Sequence, residues 1–199
     1  MLKSTPQSVL FEGQFSKPVT VAFDSGSLTS DVGVILLAAA DKKLGLTESM
    51  AAQIVDPRQL GKIQHTIGEL LRQRIFGIAA GYEDCNDSAR MDADPAMALA
   101  CGRSPLGSVC LGSTSTLSRF ENGVIGREVV GMARSLERSA VRSLKRRHPK
   151  ASRIVIDLAP SVGLAHGVQQ GVLFNGFYDT WCYLPMFGFL SVERTIPGL

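Results

Sequence analysis

The sequence has no apolar run long enough to cross a membrane. Val32 to Ala40 is the longest, and it is interrupted by Gly33 and stopped by Asp41, far short of the roughly 20 residues that a spanning helix needs. The opening Met1-Leu2-Lys3-Ser4-Thr5-Pro6 lacks the charged start, apolar stretch and small-residue cleavage site of an export signal. No membrane association is expected, and the cytoplasm is the expected location. Cysteine is sparse: Cys85, Cys101, Cys110 and Cys182 form no C-x-x-C pair. Structural zinc is therefore not expected, and reduced, partly buried thiols are. His65, His148 and His166 are the only histidines. None lies in H-E-x-x-H or beside a G-x-S-x-G serine, so no zinc-protease helix or hydrolase triad is legible. No glycine-rich segment matches a P-loop or dinucleotide fingerprint. Internal repeats and low-complexity tracts are missing as well.

What remains is a chain of 199 residues, 45% apolar and 20% charged, long enough to bury a core as one domain or two small ones. Its net charge of +3 conceals a strong segregation. Residues 134 to 153 hold Arg134, Arg138, Arg142, Lys145, Arg146, Arg147, Lys150 and Arg153 against Glu137 alone, a local +7 that leaves −4 for everything else. Such clustering is the footprint of a polyanion contact, and equally that of a solvated helix face.

Periodicity separates a helical first part from an extended last part. Val19-Thr20-Val21-Ala22-Phe23 alternates like a short strand that ends at Asp24-Ser25-Gly26. A helix follows, with Ser30 or Asp31 as its cap and Gly45 as its stop, and Thr47 opens a second one. Thr66-Ile67-Gly68-Glu69 has capping-box spacing, and Ile67, Leu70, Leu71, Arg74, Ile75 and Ile78 mark the helix's face. Arg72 and Arg74 fall off or beside that stripe and are expected to face solvent. Glu83-Asp84-Cys85-Asn86-Asp87 is acidic without the glycine and spacing of a calcium loop. Asp94-Pro95 caps a further helix that ends at Gly102, and Ser115 to Asn122 forms another short one.

Beyond Gly123, Val129, Ala133, Leu136, Ala140 and Leu144 repeat at helical spacing. Arg134, Arg138, Arg142 and Lys145 share the opposite face, as a stripe able to track a phosphate backbone. After Pro149, Ile154-Val155-Ile156-Asp157-Leu158 reads as a buried strand bearing a carboxylate. Residues 172 to 190 read as two aromatic-rich strands whose rings are expected in the core rather than stacked on bases.

Several of these blocks, in order, resemble bacterial DDE transposases of the insertion-sequence-1380 group. They are Gly81-Tyr82-Glu83-Asp84-Cys85-Asn86-Asp87, Ser115-Thr116-Leu117-Ser118-Arg119-Phe120-Glu121-Asn122, Leu173-Phe174-Asn175-Gly176-Phe177-Tyr178-Asp179 and Cys182-Tyr183-Leu184-Pro185. Phe23-Asp24 to Asp31 and Leu71 to Ala79 belong to the same colinear agreement, which runs from about Val19 to Leu190. The resemblance implies an α+β chain: a mainly helical N-terminal region over 1–127, a basic amphipathic helix over 128–152, and the first strands of a ribonuclease-H-like catalytic domain, incomplete, over 153–199. It also implies transposon-end double-stranded DNA as partner. In intact relatives it implies Mg2+ held by three carboxylates, since paired cations about 3.5 to 4 Å apart suit phosphoryl transfer.

Two departures qualify that expectation. The family's first catalytic aspartate lies in a pattern like D-L-D-x-T, where this chain reads Asp157-Leu158-Ala159-Pro160-Ser161. Ala159 therefore takes the aspartate's position. Asp157, two residues back and on the same side of a strand, is the candidate catalytic and metal-binding residue. The residues from Val192 onward no longer resemble the family, so a truncated copy is expected, with the remaining two carboxylates missing. The resulting expectation is a DNA-binding fragment that has lost strand transfer, with Arg134, Arg138, Arg142, Lys145, Arg146, Arg147 and Lys150 on DNA and no functional metal. Self-association or pairing with an intact copy would cover its unpaired strands. The alternative is a remnant that binds no DNA, forms oligomers and has no catalytic activity.

Overall fold

A computed structural model describes residues 29–91, 94–105, 111–165, 167 and 171–192. The expected strand at 19–23, together with Asp24, Cys110 and His166, lies outside them. The described residues form an α+β chain of seven α-helices followed by five strands. It divides into two compact units at Glu137/Arg138.

In the first unit, α1 spans Val34–Leu44 and ends at Gly45, whose left-handed φ of 63° supplies the expected stop. Its start differs from expectation. Gly33 is the N-cap, without any side-chain bond. The Asp31 carboxylate instead accepts the Tyr82 hydroxyl at 2.7 Å, a tertiary partner that the local pattern could not show. Helix α2, Leu46–Ala51, buries Thr47, whose amide and hydroxyl both bond to the Asp41 carboxylate.

Helix α3, Ile67–Ala79, carries the expected capping box: Thr66 Oγ1 accepts from Glu69 N, and Glu69 Oε2 accepts from Thr66 N. Its buried set is Leu70, Leu71, Gln73, Phe76 and Gly77, a wider arc than the expected stripe, and Ile78 is exposed. The cause is central placement, because α3 touches α1, α2, α5 and α6. For the same reason Arg72 and Arg74 do not simply face solvent. Arg72 Nε bonds Thr47 Oγ1 at 3.2 Å. Arg74 joins the Glu121 carboxylate and donates to the carbonyls of Tyr82 and Glu83.

A 3-10 turn at Cys85–Asp87 leads into α4, Ser88–Met91. Asp84 caps that turn through Asn86 N, which uses its carboxylate locally. Helix α5, Pro95–Ala100, has the expected Asp94 cap, accepting from Met97 N at 2.8 Å. Helix α6 is Thr114–Gly123, and α7, Gly126–Arg147, is the longest element at 22 residues. The core gathers Val34 and Ile35 of α1, Phe76 of α3, Met91, and Ala96, Met97 and Ala100 of α5, with Cys101 and Leu111.

In the second unit, β1 (Ile154–Pro160) pairs antiparallel with β5 (Met186–Val192), from Ile154 opposite Val192 to Pro160 opposite Met186. Strands β2 (Gly163–Leu164), β3 (Leu173–Asn175) and β4 (Thr180–Tyr183) form a separate antiparallel sheet in the order β2-β4-β3. Two expectations fail here. Strand β1 is exposed at every position rather than buried, because a two-stranded ribbon has no second layer to cover either face. The aromatics are likewise not core. Phe174, Phe177, Trp181, Phe187 and Phe189 are all exposed, Trp181 at 58%, and only Cys182 of the strands is buried. The expected two strands over 172–190 are three, with a turn at 176–179 in which Asp179 adopts a φ of 49°.

Candidate nucleic-acid interface

The first turn of α7 is set by Glu128. One carboxylate oxygen accepts Ile125 N at 3.0 Å and the other accepts Val55 N at 3.0 Å. These two N–H donors hold its carboxyl below the ordinary glutamate range. The same bonds tie the helix start to the segment that follows α2. One turn on, a Cβ at Gly131 would lie 3.1 Å from Gln53 Cβ, so the helix passes that side chain closely. Glu128, Gly131 and Ser135 therefore mark the packed side of α7, with Glu128 and Ser135 buried.

That side is not the expected apolar stripe. At 3.6 residues per turn, Val129, Ala133, Leu136 and Ala140 are rotated from it by roughly 140° and are exposed, while Leu144 is half-buried. The prediction of a long amphipathic helix holds, but the burial of its apolar face does not. The carboxylate bonds of Glu128 and the close approach of Gly131 to Gln53 set which side faces the protein.

The basic residues lie where the spacing placed them. Arg134, Arg138, Arg142 and Lys145 fall within an arc of roughly 80° on α7, and each is exposed. Arg146 borders the arc, whereas Arg147 points elsewhere around the helix. Lys150 follows the helix and lines a hollow with Arg147, His148 and Val192. Sequence reasoning missed Arg127. It sits seven residues before Arg134, hence almost on the same line, and it is exposed. The signal was present, but the charge window began too late. From Arg127 to Lys145 the face runs about 27 Å at 1.5 Å per residue. Among the described residues none of Arg127, Arg134, Arg138, Arg142, Lys145, Arg146, Arg147 and Lys150 is held in an ion pair.

Asp157 lies in the middle of β1 opposite Phe189, and Ala159 lies opposite Phe187 on the same side of the ribbon. Asp157 is exposed. Among the described residues no three of His, Cys, Asp and Glu come together as a metal site would require. The described residues around Asp157 therefore do not fit a two-cation cage. Likewise, no helix among the described residues is long and apolar enough to cross a membrane.

A family model described as transposase DDE domain group 1 matches residues 11–196. No curated protein and no solved structure matches the chain.

Proposed function

The chain belongs to the transposase DDE domain family, group 1, and its function is in DNA transposition; from that premise we propose that it binds transposon-end double-stranded DNA through the exposed basic face of α7. The carrying observation is the row of Arg134, Arg138, Arg142 and Lys145, extended by Arg127, with no ion pair among the described residues to neutralise it. An unneutralised row about 27 Å long can displace counterions from successive phosphates, which is the main source of affinity for duplex DNA. Arg146 and Lys150 extend the contact past the arc, whereas Arg147 lies on the other side of the helix.

The finer assignments are part of the same proposal. The colinear sequence blocks support the insertion-sequence-1380 group. Asp157 on the first of several antiparallel strands supports a ribonuclease-H-like start. Ala159 at the aspartate position supports loss of strand transfer, because the divalent-metal chemistry of this family needs a carboxylate cage that the described residues do not provide.

A gel-shift series tests the reading. The full chain is titrated onto terminal inverted-repeat DNA from low to high salt. A shift that weakens steeply with salt is expected, and no shift even at the lowest salt overturns the proposal.

A second reading, self-association with another copy, is favoured by one specific observation: β1 and β5 present exposed apolar side chains, including Ile156, Leu158, Phe187 and Phe189. Long apolar strands with free edges recruit further strands. It is compatible with DNA binding and is tested separately below.

A further inference from the structure

We propose that a cavity of about 440 Å³ between the 54–65 segment, α3 and α6 binds a small organic anion, an apolar body carrying one charged head. It lies wholly within the first unit and shares no residue with the basic face of α7. The inference therefore does not rest on the DNA reading above. The volume falls within the range of about 300–1,000 Å³ typical of small-molecule sites, and it admits one short chain or ring.

The walls decide what the body must be. Ile54, Pro57, Ile67, Leu70, Phe120 and Val124 supply apolar surface. The polar groups among them are already engaged. Asp56 is held by Arg58, with Nε to Oδ1 at 2.7 Å and Nη2 to Oδ2 at 2.6 Å. His65 Nδ1 accepts from the Arg103 guanidinium at 2.9 Å, and Thr116 Oγ1 lies 3.0 Å from Ser113 Oγ. The Val55 N–H is given to Glu128 at 3.0 Å, and the Gln64 side chain is exposed to solvent. An occupant with hydrogen-bonding groups along its body would leave water and find no free partner inside, whereas an alkyl or phenyl body gains from its burial.

Charge decides the head. Lys62 has no partner among the described residues. Arg119 commits only its Nε, to Ser115 O at 3.0 Å, so its terminal amines remain for a ligand. Both residues are exposed and therefore stand at the mouth. With Arg58 neutralised by Asp56, the lining keeps these two positive charges and no uncompensated negative one. An anionic head at the mouth gains charge-assisted bonds from both while its body fills the interior. Carboxylate and phosphate monoester heads share this chemistry.

Calorimetric titration of the full chain with octanoate, hexanoate, 1-octanol, acetate and octyl phosphate tests the site. Octanoate should bind about tenfold tighter than hexanoate, because two more methylenes leave water. It should also bind about tenfold tighter than 1-octanol, which lacks the charge, and acetate should give no measurable heat. Lys62→Glu/Arg119→Glu should weaken octanoate about tenfold with 1-octanol affinity and thermal midpoint unchanged, both side chains being exposed. No octanoate binding, equal affinity for octanoate and 1-octanol, acetate as tight as octanoate, or full octanoate affinity in the double variant overturns the proposal. The tighter of octanoate and octyl phosphate identifies the head. Arg138→Ser/Arg142→Ser should leave octanoate affinity unchanged. A loss in that variant would place the anion on α7 and overturn the cavity assignment, so failure of the DNA reading and failure of this one are separable.

Discussion

The Gln73 side chain, 2% exposed, donates Nε2–H to Gly112 O at 2.8 Å and accepts Gly112 N–H on Oε1 at 2.7 Å. Both groups of one backbone position are satisfied by a single amide. Gln73→Leu leaves them buried and unpaired, and should cost about 2–3 kcal/mol in chemical denaturation. Gly112→Ala should destabilise by about 1–3 kcal/mol, because its Cβ would meet Leu70 Cδ2 at 2.7 Å. Cysteine reactivity is set at the same scale. Burial, followed by the hydrogen bond to Glu121, pushes the Cys85 thiol up to about 11, and burial pushes Cys101 up to about 12. Both should resist iodoacetamide at pH 8 in the folded protein and react once it is unfolded, read by mass spectrometry. For Glu128 the folded pKa is lowered. Its stabilisation is therefore present above the unfolded glutamate pKa and is lost as pH falls through the lowered folded value. Glu128→Gln should reduce the thermal midpoint at pH 7, with the deficit shrinking as the pH is lowered through the carboxylate range.

Within elements, α7 shows how one helix can carry two exposed faces. Its packed side is polar and narrow, which leaves the arginines and the Val129–Ala140 row both in solvent. The DNA reading makes a quantitative demand on the arginines. Each phosphate contact contributes a slope of about −0.9 to log K against log salt. Arg138→Ser/Arg142→Ser should flatten that slope by about 2 in fluorescence anisotropy on duplex DNA. An unchanged slope would place the contact elsewhere. Helix α3 shows a different lesson: its capping box starts it where the sequence indicated, while neighbours on several sides choose which residues it buries.

At the scale of the molecule, the second unit exposes apolar side chains along β1 and β5 with little charge to oppose association, Asp157 being their one ionisable residue. Sedimentation should show mass rising with concentration, and Ile156→Lys/Leu158→Lys should return it toward the 21.3 kDa of one chain. A concentration-independent monomer would remove the second reading. The sequence alone determined the helix starts at Thr66 and Asp94, the stop at Gly45 and the basic row. Each is written in residues a few positions apart, where capping geometry and the 3.6-residue turn act. Burial was decided only in the tertiary structure. Asp31 was diverted to Tyr82, Arg74 was drawn onto Glu121, and Gln73 was enclosed by Gly112, while the apolar strands and the valines of α7 remained uncovered. Periodicity shows that a side chain shares a face with others, but what lies against that face is settled by segments far away in the chain.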